Sequence, residues 1–217
     1  MSLKNFQLFL MGSGGHALSV LSSLKFDSIE INGVVDPFAA STELEEFIIV
    51  NDFCDLPERT LLVVAIGDNY KRERAIEQAL ASNKRLKLFT HISSKATVSD
   101  SAKILEGAVI MPGGVVGPKA TVGTGALINT NAVVEHQSVL QDYASLAPGA
   151  LLLGGSVVGY GSHVGPASIV DSKISMGAYS ILGANSYHRC DLPDFVIAHG
   201  NPAVTKGTRQ KNQPYLR

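Results

Sequence analysis

His136 is the side chain in this sequence best suited to move a proton. It lies in the run Val134-Glu135-His136-Gln137-Ser138-Val139. An unperturbed histidine titrates at about 6.5, so its free ring nitrogen serves as a general base near neutral pH. Eighteen residues further on stands Gly154, followed by Gly155. A glycine leaves its backbone N–H open to an approaching ligand. An N–H aimed at a developing oxyanion is worth about 10²–10³ in rate. Base and oxyanion donor together are the requirements of acyl transfer, provided that the chain stacks positions eighteen apart. Otherwise Gly154-Gly155 is a tight corner and His136 an idle surface histidine.

A second constellation opens the chain. Gly12-Ser13-Gly14-Gly15-His16-Ala17 follows an apolar run, and Asp36 stands 22 residues after Gly14. This is close to a dinucleotide fingerprint with its ribose-binding acid. A full dinucleotide fold needs two mononucleotide halves, and only about ninety residues precede the pattern described next. The better-supported expectation is a single nucleotide or other anion held by N–H groups at a helix start. Gly67-Asp68-Asn69 forms a second turn of this kind, in which Asp68 reads equally well as a ligand or as a helix N-cap.

The other histidines carry less. His91 falls at a domain junction, His188 and His199 lie in a turn-rich exit, and His163 is expected on the surface. Cys54 and Cys190 make neither a disulfide framework nor a metal set. A reducing cytoplasm is the default compartment. The net charge of −1 and the lack of a long basic run argue against a nucleic-acid partner. No apolar run approaches the roughly 18 residues of a membrane span, and Phe6–Met11 is too short for a signal peptide.

The elements that position these residues announce themselves by period. From Ile92 to Tyr187 the chain divides into sixteen blocks of six, with no insertion or loss. The first residue of every block is aliphatic or Met, and the fifth is Ala, Gly or Ser in all but Ile174. Neither a helix nor an ordinary strand has this period. It suits a solenoid whose chain makes a short strand, turns a corner and repeats. A β-sandwich would show turns at varying intervals, and no such pattern is present. Residues 1 to about 88 instead alternate strand and helix. Strands are expected at Phe6–Met11, Ile29–Val35, Phe47–Val50, Leu61–Ile66 and Leu86–Phe89. Helices are expected from Ala17 and over Tyr70–Ser82, the latter with Lys71, Arg72, Glu73, Arg74 and Glu77 on its wet side. The result is a small parallel sheet.

The hexad array resembles that of the hexapeptide-repeat acyltransferases. The resemblance implies a left-handed parallel β-helix of triangular section, three hexads per coil. Sixteen hexads then make about five coils, roughly 25 Å at the strand spacing. Gly12-Ser13-Gly14-Gly15-His16-Ala17, Asp36 and Ala65-Ile66-Gly67-Asp68-Asn69 sharpen it to the PglD-like and NeuD-like branch. That branch holds nucleotide-aminosugar N-acetyltransferases of bacterial glycan synthesis and sialic acid O-acetyltransferases. The expected fold is therefore a Rossmann-like α/β half domain, residues 1–90, then the left-handed β-helix, 91–187, then an exit segment and tail, 188–217.

The resemblance also implies roles. Asn129-Thr130-Asn131-Ala132-Val133-Val134-Glu135-His136 matches the family stretch that carries the catalytic histidine. Gly14, Gly15, His16, Asp36, Gly67, Asp68 and Asn69 become candidate contacts to a nucleotide-linked amino sugar. Gly154, Gly155 and Ser145 become candidate contacts to acetyl-CoA, and Lys206, Arg209 and Lys211 could meet its phosphates. Related enzymes place an acidic residue after the histidine, where this chain has Gln137. Glu135, Gln137 and Asp142 are all open as its orienting partner. A homotrimer with sites between subunits is implied, and no metal is: the zinc-binding carbonic anhydrases of this fold need a close histidine pair that is missing. N- and O-acetylation remain open, as does a non-enzymatic scaffold. An ice- or lattice-binding surface would need a threonine ladder on the outside, and none is present.

Overall fold

The computed structural model describes residues 6–213. The end of the expected tail lies outside them. The chain opens with β1 (Gln7–Met11), α1 (Gly15–Phe26), β2 (Gly33–Val35), β3 (Glu43–Leu44), β4 (Phe47–Val50), β5 (Thr60–Val64), α2 (Asn69–Ser82) and β6 (Lys87–Phe89). These strands form one sheet in the order β3-β4-β2-β1-β5-β6, parallel except for β3. The strands β1 and β5 read as unbroken apolar runs because both faces of the sheet are covered: Leu10, Val34, Leu62 and Val63 are fully buried. The short β3, paired antiparallel to β4, has no apolar pattern of its own and is absent from the sequence-based expectation.

From His91 the chain makes seventeen two-residue strands, β7 to β23, at six-residue intervals from His91–Ile92 to Tyr187–His188. They fall into three parallel sheets in which every partner lies eighteen residues away, as in Val115↔Val133 and Val133↔Leu151. Three hexads therefore make one coil. The first residue of each hexad points inward, and from Ile110 to Leu182 none is more than 1% exposed. Each such side chain contributes about 1.5–3 kcal/mol by leaving water. Ile92, in the first coil, is 41% exposed, since no earlier coil covers it. The fifth residue is small because it too is inside, at the corner. Where it is serine its hydroxyl donates to a corner carbonyl, as Ser138 does to Leu153 at 2.9 Å and Ser162 to Gly177 at 2.6 Å. This satisfies a polar group that would otherwise be costly to bury. The fourth residue takes the left-handed conformation at every corner from Gly107 to Asn185, including Gln137 at φ 60°.

The exit segment adds to the solenoid. The strand β24 (Val196–Gly200) pairs parallel to Ile181–Leu182, and β25 (Ala203–Thr208) returns antiparallel along it. His188 is not in a loose turn. It occupies the inward position of the last coil, stacked on Val170, and is 3% exposed. Neither ring nitrogen has a hydrogen-bond partner among the described residues. A buried polar group left unsatisfied costs about 1–3 kcal/mol. His188→Leu, which continues the aliphatic stack, is therefore expected to raise the melting temperature. Burial lowers the His188 pKa, and Asp191 opposes the shift. The unfolded chain thus takes the proton first. This part of the stability is complete above about pH 6.5 and is lost as pH falls toward the folded value. The advantage of the leucine variant should accordingly widen between pH 7 and pH 5. Equal melting temperatures at both pH values would rule this out.

The helix α2 departs from the expected amphipathic pattern. Arg72 and Glu73, placed on the wet side from sequence, are each 2% exposed. Charged residues are almost never buried without partners, and here the solenoid supplies them. The Arg72 guanidinium donates to Gly125 O at 2.8 Å and Tyr143 O at 2.9 Å, and to Ile66 O and Gly67 O at 2.9 Å. Glu73 accepts from Tyr160 Oη at 2.8 Å, Tyr179 Oη at 3.3 Å and Lys211 Nζ at 2.9 Å. The α/β domain is thus fastened to one corner of the prism and to the adjoining face, where Val109 and Leu127 join its core.

Candidate functional site

His136 is the third residue of its hexad and stands exposed at a corner of the prism. One coil on, Gly154 lies directly beneath it. A Cβ at Gly154 would come within 2.5 Å of His136 Nε2 and 2.6 Å of its Cε1. Only glycine lets the imidazole lie across this corner. The ladder bonds on either side run from Leu153 N to Val170 O at 3.0 Å and from Gly155 N to His136 O at 2.9 Å. Among the described residues, no acceptor takes the Gly154 N–H itself. The reason is built into the repeat, because the third hexad position makes no ladder bond. Pro112, Pro118, Pro148 and Pro166 occupy the same position elsewhere, and a residue without an N–H fits there at no loss. The imidazole and the open N–H therefore stand together, as the eighteen-residue spacing requires.

Of the three candidate partners for the imidazole, Gln137 is the one in contact, with Oε1 3.4 Å from His136 Nδ1. An amide oxygen accepts only, so this contact selects the tautomer with hydrogen on Nδ1 and leaves the Nε2 lone pair free. Asp142 lies at the next corner, where Oδ1 accepts from Thr124 N at 2.7 Å. Glu135 makes no hydrogen bond to the ring. A carboxylate favours the imidazolium more than an amide does. Gln137→Glu is therefore expected to move the acidic limb of the kcat/KM profile to higher pH, which a pH–rate series reads directly. An unmoved limb would mean that this side chain does not orient the base.

The α/β domain carries a cleft of about 640 Å³ lined by Gly12, Ser13, Gly14, Gly15, His16, Asp36, Gly67 and Asp68, among others. Six of the seven predicted substrate contacts thus share one wall. A Cβ at Gly14 or Gly15 would meet nothing within 4 Å, so this turn faces open space. Asp36 ties the cleft together: Oδ2 accepts from Ser13 N at 2.9 Å and Ser13 Oγ at 2.7 Å, and Oδ1 from Phe38 N at 2.9 Å. Burial, aided by the Arg72 guanidinium, lowers the His16 pKa to about 4, so this ring is neutral at pH 7. Asp68 caps α2 by accepting from Lys71 N at 3.0 Å while also lining the cleft.

Several expected contacts fall elsewhere. Asn69 turns away from the cleft, is 2% exposed, and donates to Gly161 O at 3.2 Å and Ser162 O at 2.8 Å. It docks the domains because the helix start it occupies abuts the prism. Ser145 is buried beneath the α/β domain, its Oγ 2.8 Å from His163 Nδ1, on a different face from Gly154 and Gly155. His163 is not a free surface residue. Burial first, then Arg72 and Arg209, lowers its pKa to about 3. Arg209 donates to Tyr179 O at 2.8 Å and Lys211 to Glu73, so both face inward at the docking corner, whereas Lys206 is exposed. Sequence reasoning missed Phe38, Tyr70, Lys71 and Arg74, which also line the cleft. It also missed the tyrosines at 143, 160 and 179, which pack edge to face along the docking corner. Their spacing near eighteen was the available signal.

The cleft and His136 are not neighbours within one chain. The α/β domain grips the corner holding Gly125, Tyr143 and Gly161, whereas His136 stands at the corner before it. The prism face bearing Thr121, Val139 and Val157 lies between them. Among the described residues no three His, Cys, Asp or Glu side chains converge as a metal site would need. No helix among them is long and apolar enough to cross a membrane.

Comparison with known proteins agrees with this architecture. The PglD N-terminal domain family matches residues 7–79. No curated protein matches the sequence. Among solved structures, perosamine N-acetyltransferase from Caulobacter crescentus, in complex with CoA and GDP-perosamine, is 33% identical. The match covers 95% of this chain and 100% of that one, with a TM-score of 0.87. The acetyltransferase domain of PglB from Neisseria gonorrhoeae, in complex with acetyl coenzyme A, is 29% identical over 93% of this chain and 99% of that one, with a TM-score of 0.84. WeeI from Acinetobacter baumannii, 20% identical with a TM-score of 0.84 over 93% of this chain and 100% of that one, shares the fold. With the hexad prism, the glycine-rich cleft and near full-length identity above 30%, the chain belongs to the PglD/NeuD-like branch of the hexapeptide-repeat acyltransferases.

Proposed function

We propose that this protein transfers the acetyl group of acetyl-CoA to the amino group of a nucleotide-linked amino sugar, in the synthesis of a bacterial surface glycan. The observation that carries this is the His136 imidazole lying across Gly154, beside an N–H that no ladder bond claims. The relatives that hold CoA, acetyl-CoA and a nucleotide amino sugar support the choice of substrates. In the reaction, the sugar amine attacks the thioester carbonyl. His136 Nε2 takes the amine proton as the C–N bond forms. The Gly154 N–H donates to the oxyanion, whose charge grows in the transition state. The C–S bond then breaks, and the imidazolium returns the proton to the leaving thiolate. No acyl-enzyme is required: Cys54 lies in the α/β domain and Cys190 beyond the repeat.

The separation of cleft and His136 favours a homotrimer in which the cleft of one subunit serves His136 of the next. A thiol-release assay with acetyl-CoA tests the activity, using a panel of nucleotide amino sugars, sialic acids and unmodified sugars. Release only with nucleotide amino sugars is the expected result. Release only with sialic acids would replace it with O-acetylation, and release with none would favour a scaffold. Sedimentation equilibrium should give three times the chain mass. A monomer would exclude the shared site.

A further inference from the structure

We propose that Phe38 is the platform on which the base of the nucleotide stacks. The proposal rests on the nucleotide-sugar reading above and names the side chain that recognises the nucleoside. Of the large apolar side chains that are more than a third exposed among the described residues, Phe38 is the one that lines the cleft, and it is 71% exposed. By contrast, Phe26, 60% exposed, lies outside the cleft with Lys95 Nζ 5.1 Å from its ring centroid. Phe38 is also held in place. Its N–H donates to Asp36 Oδ1 at 2.9 Å, and Ala39 N donates to Asp36 O at 3.2 Å. Asp36 N in turn donates to Val50 O at 3.0 Å, and its carboxylate fixes Ser13. One aspartate thereby anchors both the glycine-rich turn and the backbone of the aromatic. The phenyl ring is exposed on a turn that these bonds fix, and Ala65, Ile66 and Tyr70 extend the apolar lining of the cleft. Lys71 and Arg74 reach the cleft from α2, which follows β5, whereas Phe38 follows β2; those strands flank β1 on opposite sides, so the cationic and aromatic groups enter from opposite sides. A diphosphate and a flat base joined by a ribose have that layout.

Stacking of a base on an aromatic is worth about 1–3 kcal/mol, or roughly 5- to 150-fold in affinity. The chain contains no tryptophan, so Phe38→Trp introduces a single tryptophan at the site, whose red-side excitation separates it from the tyrosines. GDP and UDP should quench it, and inorganic pyrophosphate should not. In calorimetry on the full chain, Phe38→Ala should bind GDP and UDP roughly 5- to 150-fold more weakly, with pyrophosphate affinity unchanged. Phe38→Tyr should restore the binding. In turnover, the alanine variant should raise KM for the nucleotide sugar and leave KM for acetyl-CoA alone. If Phe38→Ala binds nucleoside diphosphates as wild type does, the platform is wrong while the nucleotide reading stands. If wild type binds GDP and UDP no better than pyrophosphate, both fall. Loss of pyrophosphate binding along with the nucleotides would point to a collapsed cleft and also overturn the platform.

Discussion

His136→Asn is expected to lower kcat by about 10²–10⁴, the range that a positioned general base supplies. The melting temperature should stay close to that of wild type, because the ring is exposed and fills no part of the core. The size of the loss follows from the chemistry. Without the base, the ammonium of the tetrahedral intermediate must lose its proton to water before the thiolate departs. The Gly154 N–H and the bound substrates remain, so a residual rate persists. KM for acetyl-CoA should change little, since the asparagine still leaves the corner open. A variant with near wild-type kcat would remove His136 from the mechanism. A variant that lost activity together with its fold would place the histidine among structural residues instead.

Gly154→Ala is the second large effect, and it reaches His136 through the glycine that the imidazole lies across. The added methyl would lie 2.5 Å from His136 Nε2, too close for any stable contact. Its nearest neighbours are ring atoms of a side chain that can rotate, so the imidazole must leave and the backbone can stay. The Gly154 backbone is not left-handed, and alanine carries no conformational penalty there. The variant should therefore fold with a melting temperature near wild type and lose about 10²–10⁴ in kcat, the scale of a displaced general base. A Gly154→Ala, His136→Asn double variant should be little worse than the worse single, because both act on one constellation. Multiplicative losses in that cycle would show that the two residues work independently.

Much of the solenoid was legible because its period is a direct image of its geometry. The inward position and the small corner position repeat every six residues; the family resemblance supplies three hexads per coil, and with that the partner of His136 is a matter of counting. The α/β domain was legible in its strands but not in its surfaces. Arg72 and Glu73 look like the wet side of a helix, and nothing local shows that a wall of backbone carbonyls and tyrosines covers them. Asn69 failed for the same reason: a residue in a turn that opens a helix can face a ligand or a neighbouring domain, and only the packing decides. Ser145 and His163 stack on one ladder eighteen residues apart, yet that ladder lies under the α/β domain. Periodicity reveals which side chains share a face but not what covers the face. Phe38 carried no signal beyond its place after Asp36-Pro37.

The reversal at β24 and β25 has a consequence for how the protein behaves at high concentration. A stack of parallel coils has no intrinsic last member, and its open end offers unpaired backbone groups to any similar edge. The hairpin runs that end backward, with β25 antiparallel to β24. The next backbone bond, Arg209 N to Phe195 O at 2.8 Å, and the Arg209 guanidinium on Tyr179 O fasten it down. On that face of the prism a second molecule's first coil then meets strand direction and register unlike its own. The hairpin acts as a terminator against end-to-end fibre growth. A chain truncated after Gly200 should form larger species as concentration rises in size-exclusion chromatography; a truncated chain that elutes at the wild-type position at every concentration would refute this.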